Sequence, residues 1–232
     1  MADVIIRNYR KEDEPAIEDI TYRTGFKGED LTGRDFFDDR RLFFLLFIYY
    51  YTRYEPEHFF VAVDAGNDRV VGFIGGTTDT AAQEKNFQKK VLPRIVARTF
   101  FYTSWRYPKT FKMLLRMMKG MGGVGDKESA AKVQSEYPAH LHINLLPEYQ
   151  HQGIGTRLTK YFEEHLVSLN VRGVHLQTTS HNHKALPFYK KLGFEILQET
   201  EIKGHPLLDD LTLITFAKKL AATEGGIRRG AW

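Results

Sequence analysis

The chain is 232 residues long and 42% hydrophobic, enough to bury the core of one large α/β domain with room for a substantial insertion. It contains no cysteine, which excludes disulfide frameworks, thiolate zinc sites and cysteine nucleophiles and leads us to expect a reducing, cytoplasmic setting. The net charge of +4 is unevenly spread: residues 80–137 hold 12 Lys or Arg against 4 Asp or Glu, an asymmetry that calls for an acidic partner or a solvated face.

The opening stretch MADVIIRNYRKEDE turns charged too soon for a secretory segment and is too acidic for a transit peptide, so no targeting segment is expected. Val4 to Ile6 begin a short strand, and Asp13 with Pro15 opens an amphipathic helix that carries Ile17 and Ile20 inward and stops at Gly25. Residues 35–54 are apolar on nearly every face and predict a helix packed between the sheet and a further helical layer. Its most apolar run, Leu42 to Tyr51, spans ten residues. A bilayer crossing needs roughly 20, so no membrane association is expected.

Phe59 to Val63 and Val70 to Ile74 flank Ala65-Gly66-Asn67-Asp68 and predict an antiparallel hairpin. From Thr78 to about Tyr137 the pattern changes to basic-aromatic stretches, QKKVLPRIVARTFFYTSW and KTFKMLLRMMKG, closed by a flexible GMGGVGDKES. A strand over Leu141 to Leu146, a helix over Thr156 to Leu169 with Leu158, Phe162, Leu166 and Leu169 on one face, and a strand over Val174 to Thr178 form a βαβ unit with a parallel crossover. A helix over Asn182 to Leu192 ends at Gly193, and Phe194 to Glu199 pairs with Leu211 to Phe216. The organisation expected is a single α/β domain: an N-terminal half over 1–79, a basic helical insertion over 80–137, a second half over 138–218 and a flexible tail over 219–232.

The chemistry-bearing segment is PEYQHQGIGTRL, between the strand at Ile143 and the helix at Thr156. Gly153 and Gly155 permit a tight turn whose successive N–H groups, with the positive end of the following helix, cradle an anion such as a pyrophosphate. The segment has neither the Gly-Lys-Ser/Thr of a Walker loop nor the third glycine of a dinucleotide fingerprint.

Gln150-His151-Gln152-Gly153-Ile154-Gly155 resembles the Q/R-x-x-G-x-G/A signature of the GNAT superfamily of N-acetyltransferases. Asn182-x-x-Ala185-x-x-Phe188-Tyr189-x-x-Leu192-Gly193-Phe194 resembles that superfamily's second hallmark. The likeness is carried by Pro138 to Phe194, extends over residues 1–77 and is absent from the insertion. LHINLLPEYQHQGIGTRL is also similar to a subgroup that includes bacterial relatives of the acetyltransferase-like domain of some O-GlcNAc hydrolases.

The resemblance implies a mixed, mostly antiparallel twisted sheet with helices on both faces. It also implies acetyl-CoA as cosubstrate, held by Leu145, Leu146, Gln150, His151, Gln152, Gly153, Ile154, Gly155, Thr156, Asn182 and Phe188. The strand ending at Leu145 and Leu146 then splays from its neighbour so that the cofactor acts as a missing strand, and an N–H near Leu146 polarises the thioester carbonyl. Tyr189 matches the tyrosine that protonates the departing thiolate; its structural alternative is packing of the helix on the sheet.

Period-two geometry puts His140, His142 and Asn144 on one face of their strand. Asn144 stands where related sequences often carry an acid, and an amide cannot accept a proton, so His142 is the candidate base, with a hydrogen-bonded structural histidine as the alternative. Metal binding by the His140/His142 and His181/His183 pairs is set aside, because no carboxylate or cysteine completes a ligand set.

The basic-aromatic insertion admits three readings: amphipathic helices covering the sheet or a homodimer partner, which we favour, a wall of the acceptor pocket, and a single-stranded nucleic-acid surface. The function expected is transfer of an acetyl group to a primary amine of a small molecule, peptide or protein. The alternatives are a CoA-binding protein without turnover and an interaction module built on the insertion.

Overall fold

The computed structural model describes residues 3–25, 30–33, 37–120, 127–202 and 211–220. The expected tail over 219–232 lies outside them beyond Leu220. Strand β1, Val4–Asn8, leads into α1, Glu14–Arg23, which has Pro15 in its first turn. The chain then builds α2, Arg40–Phe47, and α3, Tyr49–Tyr54, followed by β2, Phe59–Asp64, and β3, Arg69–Thr77. The one helix expected over 35–54 is therefore two. The Asp39 side chain accepts the Leu42 N–H at 3.0 Å to start α2, and Ile48, at φ −124°, breaks the helix. The break lets Leu42 and Phe44 of α2 and Tyr50 and Tyr51 of α3 all be buried.

Between β3 and β4 the chain is helical: α4, Thr80–Lys90; α5, Leu92–Arg98; a widened π-helical turn, Thr99–Thr103; α6, Ser104–Arg106; α7, Pro108–Gly120; and α8, Lys127–Glu136. Of the stretch expected to be flexible, Lys127 to Ser129 belong to α8, while 121–126 lie outside the described residues. The segment is pinned to α2 through Asp39, which is 0% exposed, pairs with Arg98 Nη2 at 2.8 Å and accepts from Thr103 Oγ1 at 2.7 Å. This arrangement satisfies a carboxylate that would be costly to bury alone.

Then come β4, Ala139–Leu145; α9, Ile154–Ser168; β5, Gly173–Thr179; α10, Ala185–Lys191; β6, Glu195–Ile202; and β7, Leu211–Lys219. The strands form one sheet in the order β1-β2-β3-β4-β5-β7-β6. Every junction is antiparallel except β4 with β5, the crossover expected from the βαβ pattern. Leu158, Phe162 and Leu166 of α9 are 0% exposed, but Leu169 is 46% exposed because the helix ends before it and turns its side chain out. Lys218 of β7 donates to Glu163 of α9 and to the Leu192 carbonyl, each at 2.8 Å, tying α9 and the end of α10 to the far side of the sheet.

Candidate active site

The parallel junction is the shortest in the sheet. Only Ala139↔Val174 and His140↔His175 pair before β4 and β5 part. Opening a sheet strands polar groups unless something replaces them. The edge that β4 presents follows from its ladder with β3: Leu146 N–H donates to the Val71 carbonyl at 3.0 Å, with Phe73↔Asn144 and Gly75↔His142 in the same register. Alternation then turns the N–H groups of Leu141, Ile143 and Leu145 toward the gap. The Leu146 N–H, near which the donor was expected, is already bonded, and the nearest N–H turned toward the gap is that of Leu145. Gln150 Nε2 donates to the Leu145 carbonyl at 3.0 Å and so fixes the loop beside this edge.

At the mouth of the gap His151 (φ +60°) and Gly153 (φ +78°) adopt left-handed backbone around Gln152. Only glycine takes this region without strain, so Gly153 is the residue the turn requires. It is the N-cap of α9, and the first backbone bond that follows it runs from Arg157 N–H to the Gly153 carbonyl at 3.1 Å. The N–H groups of Ile154, Gly155 and Thr156 precede that bond, at the positive end of a 15-residue helix. A Cβ on Gly155 would stand 3.3 Å from the Phe188 ring, so a small residue there lets α10 approach the loop.

In α10, which begins at Ala185, Pro187 lies in the first turn, where its missing N–H costs no helical bond. Asn182 accepts the Ala185 N–H through both its carbonyl, at 3.0 Å, and its side chain, at 3.3 Å. Tyr189 is buried against Phe188, Phe194 and Phe216 with ring centroids 5.2 to 5.8 Å apart. Burial raises the pKa of its hydroxyl, so the phenol stays protonated through neutral pH.

On β4 the three polar side chains share one face, as the period of two requires. Asn144 Nδ2 donates to Thr24 Oγ1 at 2.6 Å. His140 and His142 converge on a residue that sequence reasoning passed over as core: Tyr51 of α3, whose hydroxyl lies 2.5 Å from His140 Nε2 and 3.1 Å from His142 Nε2. Proton positions follow from the end of the chain. Thr80 Oγ1 has one proton, and the Pro138 carbonyl 2.8 Å away can only accept it. Thr80 therefore accepts from His140 Nδ1–H at 2.8 Å. His140 Nε2 then accepts from Tyr51, and the Tyr51 oxygen accepts from His142 Nε2–H. This pattern satisfies every contact and leaves His142 Nδ1 unprotonated.

Burial, with charge repulsion from His175, lowers the His142 pKa to about 4. Burial, with repulsion from His142 and His175, also holds His140 well below its ordinary value, so both rings are neutral at pH 7. Among the described residues no carboxylate joins the chain and it ends on a carbonyl, so it orients the rings and has no terminal group to receive a proton.

Two cavities meet at His142. One, of about 270 Å³, lies between α2, α3 and α4; the other, of about 390 Å³, lies over β4–β5–β7–β6 beneath α4 and α8. Gln83, Glu84 and His142 line both. The helical segment thus walls a cavity, but three of its aromatic residues do not cover the sheet: Phe100, Phe101 and Trp105 are 66%, 82% and 68% exposed. The described residues include no group of three or more His, Asp or Glu side chains placed to hold a metal, and no helix among them is long and apolar enough to cross a membrane.

A family model for the Acetyltransferase (GNAT) family matches residues 120–194. Among solved structures, SsHAT is 31% identical, covering 94% of this chain and 99% of its own at a TM-score of 0.71. An N-acetyltransferase from Staphylococcus aureus Mu50 is 14% identical over 95% of this chain and 100% of its own, with a TM-score of 0.55. A GNAT superfamily phosphinothricin acetyltransferase from Sinorhizobium meliloti, in complex with acetyl-CoA, is 14% identical over 99% of this chain and 95% of its own, also at 0.55.

Proposed function

Because the chain belongs to the GNAT family of acetyltransferases, we propose that it moves the acetyl group of acetyl-CoA to a primary amine by direct attack in a ternary complex. The observation that carries this reading is the gap between β4 and β5, with an anion cradle at one end and a neutral histidine beside a cavity at the other.

The pyrophosphate lies on the N–H groups opened by Gly153, from Gln152 through Thr156, with Gln150 and His151 shaping the turn and Asn182 and Phe188 holding α10 against it. The pantetheine arm takes the place of the missing ladder along Leu141, Ile143 and Leu145, and the Leu145 N–H stabilises the oxygen as charge develops there. His142 Nδ1 takes the proton of the attacking amine. Its low basicity leaves the ammonium proton to water once the cation has entered the groove, and reserves His142 for the proton released as the neutral amine attacks. Tyr189, which burial keeps protonated at neutral pH, supplies the proton to the departing thiolate. Holding amine and thioester together contributes roughly 7 to 11 kcal/mol in well-oriented intramolecular systems, so the acid and base have a modest share to supply.

The acceptor is an amine of a small molecule, peptide or protein, and the subgroup resembling the acetyltransferase-like domain of O-GlcNAc hydrolases is the one we favour. Binding without turnover is the rival reading. It draws on Asn144, whose amide is engaged by Thr24 and cannot act as a base.

Calorimetric titration with acetyl-CoA, repeated on Gly153→Glu, tests the cradle, and release of free thiol with an amine panel tests turnover. We expect binding that the variant abolishes, and a kcat that falls about 100-fold in Tyr189→Phe, the usual scale for a general acid. No binding by folded wild-type protein refutes the proposal; binding with no thiol release on any amine establishes the rival.

A further inference from the structure

We infer that the acceptor is a cationic amine that bears neutral hydroxyl or amide groups and no carboxylate, a reading that rests on the acetyltransfer proposed above. The two cavities share Gln83, Glu84 and His142 and so form one groove passing beneath α4. Among the described residues Glu84 is the only charged side chain that lines either of them. This is notable in its setting, because from Lys85 to Lys119 the chain carries ten Lys or Arg and no Asp or Glu, yet none of those whose side chains the structure describes lines the groove. An acceptor carboxylate would meet no positive partner there and would face Glu84.

The Glu84 carboxylate is held in place: Oε1 accepts from Gln134 Nε2 of α8 at 2.8 Å, which bridges the two helices over the groove. No Lys or Arg of the described residues pairs with it, so its second oxygen is open to an ammonium, a charge-assisted partner. The remaining polar wall of the larger lobe is neutral. Gln134, Gln177, Gln198, Thr200 and Thr215 line it, and amides and hydroxyls both donate and accept. That combination complements the hydroxyls of an amino sugar or the amides of a peptide backbone, two sources of one chemistry.

The test compares matched acceptors with the full-length protein and acetyl-CoA: serinamide against serine, an amino sugar against its uronic acid, and a C-terminally amidated tripeptide alongside. The carboxylate-free member of each pair is expected to have a kcat/KM about tenfold or more higher, the scale of one charge-assisted hydrogen bond. Glu84→Gln is expected to raise KM for the favoured amines by a similar factor and to leave the Kd for acetyl-CoA unchanged. The better of the sugar and peptide arms identifies the source. Equal turnover of the carboxylate forms, an unchanged KM in Glu84→Gln, or intact acetyl-CoA binding with no turnover of any of these amines overturns the inference. Failure of the folded protein to bind acetyl-CoA instead overturns the function on which it rests.

Discussion

Replacing His142 with glutamine should make the protein less sensitive to acid. In the fold His142 has a pKa of about 4, against an ordinary value of 6.5. As pH falls the unfolded chain therefore takes up this proton first, and stability present above pH 6.5 is lost progressively between 6.5 and 4. At pH 5 the unfolded ring is favoured by protonation about thirtyfold more than the folded one, which is about 2 kcal/mol. His140 and His175 are depressed in the same direction and remain in the variant, so they add to the slope of both proteins. Glutamine keeps an N–H for the Tyr51 hydroxyl and removes the titrating ring. Urea unfolding at pH 8 and pH 5 reads the effect: the wild type should lose about 2 kcal/mol more than His142→Gln over that interval. Equal losses in the two proteins would mean that His142 is not held neutral by burial, and the orientation argued for the Tyr51 chain would fall with it.

Gly76→Ala should cost about 2 to 3 kcal/mol by urea denaturation, since a Cβ there would stand 1.9 Å from the His140 carbonyl oxygen and force β3 away from β4; a loss under 0.5 kcal/mol would show that the strands are not packed so closely. Asp39→Ala strands Arg98 and removes the cap of α2, and should cost about 3 to 5 kcal/mol; a neutral result in the same assay would place Asp39 in contact with water.

The parts of this architecture legible in sequence are those written in local pattern. The β2–β3 hairpin follows from Gly66-Asn67 between apolar runs, and the parallel crossover through α9 from its stripe of Leu158, Phe162 and Leu166. The phosphate-type turn follows from two glycines, Gly153 for its left-handed backbone and Gly155 for the close approach of Phe188. The shared face of His140, His142 and Asn144 required nothing beyond the pleat of a strand. What escaped was set by contacts between distant segments. Tyr51 sits in the run Tyr49-Tyr50-Tyr51, in which nothing local distinguishes the ring that meets two histidines some ninety positions later. Glu84 is one acid at the head of a basic stretch, and its position over the groove depends on how α4 folds back across β4. The split at Ile48 was hidden for the same reason: a uniformly apolar run has no polar face to mark where a helix changes direction. The exposure of Phe100, Phe101 and Trp105 likewise reverses what hydrophobicity alone suggests.

The junction of β4 with β5 has a consequence for how the molecule opens. Two Cα pairs join these strands, against five to seven at every other junction of the sheet. Amide exchange in the native state is governed by blocks that open together, and here the ladder divides into β1 to β4 and β5 to β7. A molecule bonded along the β4 edge and seated on the turn that enters α9, itself tied to β7 by Lys218, spans that division. Saturation at 100 times Kd adds about 2.7 kcal/mol, and this increment slows exchange on both sides of the seam, so an occupied groove fuses two units of opening into one.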